Sequence, residues 1–250
     1  MLTRIQQERW DAYQRLEALA PRTDTLRGLD AFLDTLADSP GGEWFPWARS
    51  IAERVVDNGE ALIIRFPLFE RAVFPALLAG YQSSLPGCAR WLAGLSELLY
   101  RSRICQEQLP EAERNELGLL RAALRHDPTD QWSRRRLLEK QSDWLRFSLH
   151  ELPDGVLYGM DGALPEQCRQ LEYELDEFCK LVEEEKTDRY GELIDRCRYH
   201  FRAYQEYLLN PKNCQSYALY LAQEGKQNPA ESSAKTRGHQ QLCEMESCVV

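Results

Sequence analysis

Residues 119–156 read LLRAALRHDPTDQWSRRRLLEKQSDWLRFSLHELPDGV, and the fold class turns on them. From Pro110 to Arg125 the apolar residues Leu117, Leu120, Ala123 and Leu124 recur at steps of three and four. That spacing lines one face of an α-helix. Pro128 disfavours helical dihedrals at Asp127, so the helix must stop there, and Asp127 or Thr129 can accept hydrogen bonds from the free N–H groups that open the next one. The second helix is expected from about Asp130 to His150, burying Leu137, Leu138, Trp144, Leu145 and Leu149, with Pro153, Asp154 and Gly155 closing it.

The same pattern extends outward in both directions. A helix from about Thr3 to Ala20 is expected to bury Trp10, Tyr13, Leu16 and Leu19 and ends at Pro21; a second, about Asp24 to Ala37, runs through Leu26, Leu29, Leu33 and Leu36. The two should pair antiparallel before the Ser39-Pro40-Gly41-Gly42 break. Trp44-Phe45-Pro46-Trp47 opens a helix through Ile51, Val55 and Val56, and its aromatics read as core rather than as a ledge for a partner. Residues 61–80, carrying Pro67 and Pro75, predict a kinked helix pair, and Pro86 starts a long helix to Gln106 with Trp91, Leu95, Leu98 and Leu99 inside. Further on, Leu164-Pro165 opens a helix through Leu171, Leu175, Phe178 and Leu181. Another follows Thr187-Asp188 through Tyr190, Leu193, Ile194, Cys197, Phe201, Tyr204 and Leu208. After Pro211 a short helix carries Tyr217, Leu219, Tyr220 and Leu221. Residues 225–250 are polar and aperiodic and predict a flexible tail. No convincing period-two strand interrupts the series. The expected fold is all-α, built of stacked antiparallel helical hairpins as a right-handed solenoid or a compact bundle. One domain would span 1–224, with a possible sub-boundary near 155–163.

The run Ala123, Leu124, Asp127, Pro128 and Asp130, a helix followed by an Asp-Pro turn and a second amphipathic helix, resembles a tetratricopeptide unit. That resemblance implies helical hairpins stacked around a concave face that takes a peptide or a helix, with Trp132, Arg136 and Trp144 beside it.

The net charge of −9 is unevenly placed: −3 over residues 1–100, +2 over 101–150, −9 over 151–188 and +1 over 189–250. The acidic segment centres on Glu172, Glu174, Asp176, Glu177, Glu183, Glu184 and Glu185. An acidic face of this kind points to a basic protein partner through charge complementarity. Some of the excess is expected to be neutralised by Arg189, Arg196, Arg198 and Arg202 across the hairpin. Arg134-Arg135-Arg136 beside Trp132, with Arg121 and Arg125, is a basic run, but the acidic chain argues against nucleic acid. The opening MLTRIQQERW lacks the apolar run of a secretory signal, and residues 61–80 are broken by Arg65, Glu70 and Arg71. A cytoplasmic protein without a membrane span is expected.

Catalytic patterns are sparse. His126-Asp127 resembles the His-Asp pair of HD-type phosphohydrolases, but only four histidines exist and Pro128 explains Asp127 as a turn. Phosphate loops, H-E-x-x-H helices and G-x-S-x-G elbows are missing from the sequence. Glu172 with Asp176, or Glu174 with Glu177, could serve a di-metal or acid–base site, yet no Glu-x-x-His accompanies them. Cys197 and His200 are spaced C-x-x-H with no second pair nearby, and the eight cysteines are too scattered for a disulfide framework. No cofactor or metal is expected. A compact acidic helical chain without catalytic motifs resembles, in general character, the immunity proteins that bacteria make against their own toxins. That resemblance implies tight binding of one toxin domain and occlusion of its active site. The other readings are an adaptor that holds a peptide or helix and an all-α metal-dependent hydrolase.

Overall fold

The computed structural model describes residues 1–39, 42–152, 156–157, 160–161, 164–209, 216–223 and 225. Helices dominate them, and the class is all-α. Contacts divide the chain into two compact units, Met1–Leu137 and Leu138–Val250. The division falls inside a helix, whereas the sub-boundary read from the sequence lies near 155–163.

In the first unit, α1 (Arg4–Leu19) opens with a capping box: the Thr3 hydroxyl accepts from the Gln6 N–H at 3.4 Å while Gln6 Oε1 accepts from the Thr3 N–H at 2.9 Å. Such a cap contributes about 1 kcal/mol. Helix α2 (Arg22–Ala37) packs on α1 as expected, burying Trp10, Tyr13, Leu29, Phe32 and Leu33. Leu19 is 89% exposed. It lies two and a half helical turns beyond Trp10, on the opposite face, which overturns its assignment to the core. Helix α3 (Phe45–Val56) sends Trp47 edge-on against Trp10 at 5.0 Å and Phe32 at 5.2 Å, and Trp44 is buried, so these aromatics are core.

Residues 59–65 follow without helix, turn or bend. They are pinned at one end by the Arg54–Glu60 ion pair at 2.6 Å and at the other by Arg65, whose two nitrogens each reach a Glu17 oxygen at 2.7 Å. Only then does the chain turn helical, as one run: α4 (Phe66–Leu68), a π-helical turn (Phe69–Val73) and α5 (Phe74–Gln82). This replaces the kinked pair predicted for 61–80. Pro75 has no N–H and its ring crowds the carbonyl four residues back; the wider turn just before it, closed by the Phe74 N–H on the Phe69 carbonyl, gives that ring room.

The long helix predicted from Pro86 to Gln106 is three short ones, α6 (Cys88–Gly94), α7 (Ser96–Tyr100) and α8 (Arg103–Glu107). Leu95 leaves helical geometry at φ −106° and ψ 19°. Gly94 packs so close to α3 that a Cβ there would sit 2.7 Å from Val56. Ser102 is extended and caps α8 by accepting from the Cys105 N–H at 3.3 Å.

Helix α9 (Glu116–His126) starts later than Pro110, because Asn115 Oδ1 takes the Gly118 N–H at 2.9 Å and residues Glu111–Glu113 form a separate 3₁₀ turn. It packs on α6. The next helix, α10 (Gln131–Glu151), is capped by Asp130, which accepts from the Ser133 N–H at 3.1 Å and the Ser133 hydroxyl at 2.8 Å. Asp127 is instead spent within the turn on the N–H and hydroxyl of Thr129, at 2.9 and 2.6 Å.

The second unit begins within α10 at Leu138. A two-residue ladder, β1 (Val156–Leu157) antiparallel to β2 (Met160–Asp161), precedes α11 (Pro165–Glu185), α12 (Gly191–Leu209) and α13 (Tyr217–Gln223). Its core joins Leu145, Leu149 and Leu152 of the α10 end to Leu171, Leu175 and Phe178 of α11 and Cys197, Phe201 and Tyr204 of α12. The expected stops at Pro153-Asp154-Gly155 and Pro211 and the tail beyond Gly225 lie outside the described residues.

Candidate interaction surface

The acidic residues singled out in the sequence all lie on α11, because that helix spends its apolar positions, Cys168, Leu171, Leu175, Phe178 and Val182, on the core. What remains is a polar half-cylinder of eight carboxylates and two cations, Arg169 and Lys180. Helical spacing splits the acids into two flanks rather than one patch. Glu172, Asp176 and Glu183 form one; Glu174, Glu177, Glu184 and Glu185 form the other. On the first flank Glu172 meets Arg202 of α12 at 3.4 Å. On the second, Glu177 takes the Lys180 ammonium at 2.6 Å, which holds the Lys180 pKa above its ordinary value, and Glu174 accepts from Gln170 at 3.3 Å. Asp176, Glu183 and Glu184 are exposed. Tyr173, near the middle of the helix, is 58% exposed, and neither the charges nor the apolar period of α11 marks it out in the sequence.

Helix α12, beside it, carries three acidic and three basic side chains of its own. Of its arginines, Arg202 pairs with Glu172, while Arg198 donates to the Cys179 sulfur at 3.5 Å. The exposed face of α12 holds a shallow groove of about 290 Å³ lined by Asp195, Arg198, Tyr199, Arg202, Ala203 and Glu206. Two acids, Asp195 and Glu206, and two arginines, Arg198 and Arg202, line it, so it is a neutral neighbour to the acidic helix.

The alternative residues are divided between the two units. Trp132 and Arg136 belong to the first unit and Trp144 to the second. Arg136 is engaged by Glu116 at 2.8 Å, and Trp144 packs, half-buried, against the second core. The basic run is largely spent inside its own unit as well: Arg134 donates to the Pro128 carbonyl at 2.6 Å and Arg125 pairs with Glu113.

Among the described residues no three His, Cys, Asp or Glu side chains are grouped to hold a metal ion. Cys197 and His200 are both buried in the second core, where burial pushes the Cys197 thiol up to about 12. The Cys88 and Cys168 thiols are pushed up to about 11 for the same reason, so these sulfurs stay protonated and behave as small apolar groups. His126 rests against the Tyr81 ring at 5.5 Å. No described helix is long and apolar enough to cross a membrane. No protein family, no curated protein and no solved structure matches the chain.

Proposed function

We propose that this chain is a non-catalytic protein-binding module of the cytoplasm, an immunity protein that holds and neutralises a basic toxin domain, with the outer surface of α11 as part of its contact. The observation that carries the reading is the charge of that surface: eight carboxylates against two cations on a helix whose neighbour α12 carries equal numbers of each sign. A surface of one sign steers an oppositely charged partner into encounter and penalises wrong partners. The exposed Tyr173 ring among these charges supplies the aromatic anchor that such contacts centre on.

The test is a pair of baits, the native chain and a variant with Glu174→Gln, Glu177→Gln, Glu183→Gln and Glu184→Gln, presented to a lysate of the organism that makes the chain. Any basic protein retained is then purified and its affinity measured between 50 and 300 mM salt. The expected result is a toxic basic domain bound by the native bait, weakened at least tenfold by the four substitutions and by the higher salt, and inhibited on binding. Equal retention of the same protein by both baits, or binding indifferent to salt, overturns the α11 surface as the contact.

A further inference from the structure

The groove on α12 carries an order of side chains that the acidic surface of α11 does not use. Asp195, Tyr199, Arg202 and Glu206 follow one another at steps of four, three and four, so they form a single row along the helix, with Arg198 beside Tyr199. All five are exposed, Tyr199 at 41% and the Arg202 side chain at 70%. Ala203, 3% exposed, lies beneath them, and its small side chain leaves the groove open. Along the chain the order is acid, arginine, tyrosine, arginine, acid.

That order complements itself when a second copy of the helix lies antiparallel to it. A two-fold axis brings the same surface of both copies together, and every contact then occurs twice. The register decides whether the charges match. An axis between His200 and Phe201, at the middle of the row, sets Asp195 against Glu206 of the second copy. An axis at Arg202 sets that arginine against itself. An axis between Arg198 and Tyr199 sets Asp195 against Arg202 and Arg198 against Tyr199, an ion pair and a guanidinium on an aromatic ring. Glu206 then faces Gly191, the first residue of α12, where nothing lies within 4 Å of the place a Cβ would take. A carboxylate is favoured at a helix start. Residues 191–206 of each copy overlap in this register, about 24 Å of helix.

We propose that the exposed row on α12 is a self-association surface, on which a second copy of this chain seats its own α12 antiparallel about a two-fold axis between Arg198 and Tyr199.

Contacts within each copy leave room for those between copies. Glu172 of α11 meets Arg202 at 3.4 Å, and the Cys179 sulfur accepts from Arg198 at 3.5 Å. One arginine between two carboxylates already occurs in this chain, where Arg90 takes Asp57 at 2.7 Å and Asp130 at 3.0 Å. Glu206 accepts from the Tyr220 hydroxyl at 3.0 Å, and a carboxylate has further lone pairs for the N–H groups of a helix start. Exposed ion pairs are individually weak, so the dimer is reversible and forms at high chain concentration.

The test is sedimentation velocity of the full chain between about 1 µM and about 1 mM, where weak dimers dissociate. Asp195→Arg, Arg202→Asp and an equal mixture of the two variants are run beside it. The native chain should pass reversibly from monomer to dimer. Each variant alone sets like charges opposite one another twice and should dimerise at least about tenfold more weakly. In the mixture each variant supplies the charge that the other lacks, and the native affinity should return. A native chain that stays monomeric overturns the proposal, as does a variant that dimerises as tightly as the native chain or a mixture no tighter than its parts. If either variant does not fold, the amide signals of the native chain are followed by NMR across the same concentrations. Changes concentrated in residues 191–206 support the surface; changes elsewhere, or none, reject it.

Discussion

Glu17 and Arg65 show how single residues set this fold. They lie 48 positions apart, and neither stands out in the sequence: one is a surface position of an amphipathic helix, the other an interruption in an apolar run. Folding makes them a bidentate pair, 17% and 25% exposed, onto which Tyr13 also donates its hydroxyl at 2.8 Å. The Arg65 guanidinium, more than the Tyr13 hydroxyl, holds the Glu17 carboxyl below its ordinary 4.5. The folded value lies under the unfolded one, so the stabilisation is complete above pH 4.5 and disappears as the pH falls through the depressed value. Arg65→Ala should cost about 1.5–3 kcal/mol at pH 7, the range for hydrogen bonds to charged groups. Urea denaturation at pH 7 and pH 3 checks this: the native chain should lose more stability between the two than the variant does. Burial of Tyr13 beside that carboxylate raises its phenol pKa further, so it stays neutral throughout.

At the scale of the element, the segment 59–65 separates what is ordered from what is hydrogen-bonded. Ile64 is buried at 9% exposure while Ile63 is 55% exposed, the alternation of an extended chain lying on a helical surface. Its ends are tied by Glu60 and Arg65, yet among the described residues no hydrogen bond within the protein is made by an N–H or carbonyl of residues 61–64. Amide exchange should show Ala61–Ile64 nearly unprotected and Ala76–Gln82 strongly protected. Protection of residues 61–64 comparable to the helix would mean that these groups are paired after all. The capping residues belong to the same scale. Asp130 carries the cap of α10 and also takes Arg90 at 3.0 Å, while Arg90 reaches Asp57 at 2.7 Å, so one carboxylate ties a helix start to two other elements. The Asp-Pro pair drew attention to Asp127, three residues too early.

At the scale of the whole molecule the chain forms two compact units, and the second has a core of its own. That core contains no residue before Leu138, and Phe178 at its centre is fully buried. Phe178→Ala should remove about 3–5 kcal/mol from that unit, the usual cost of emptying a buried phenyl site. Hydrogen exchange should register the loss in α11 and α12 while the α1 and α2 amides keep their native protection. An equal loss in α1 and α2 would show that the two units open as one. The α11 surface depends on this second core, since it is the burial of Leu171, Leu175 and Phe178 that turns the acidic half of the helix outward.

Local spacing determined the helices α1, α2, α3, α11, α12 and α13, because in each the apolar period and the breaking residues agree. It also determined that the acidic residues share one helix, and that Trp44 and Trp47 belong to the core. Tertiary structure decided the rest. Residues 61–65 have helix-compatible composition but lie outside any helix, between Glu60 and Arg65, which Arg54 and Glu17 hold. The apolar period from Pro86 to Gln106 is unbroken, yet Gly94 lies against Val56 and the helix ends there. Helix α9 packs on α6, a pairing that no local pattern records. Nor could spacing show where α10 passes from one unit to the next, for its leucines recur evenly across the division at Leu138. Periodicity states which face of a helix is buried; only packing states against what.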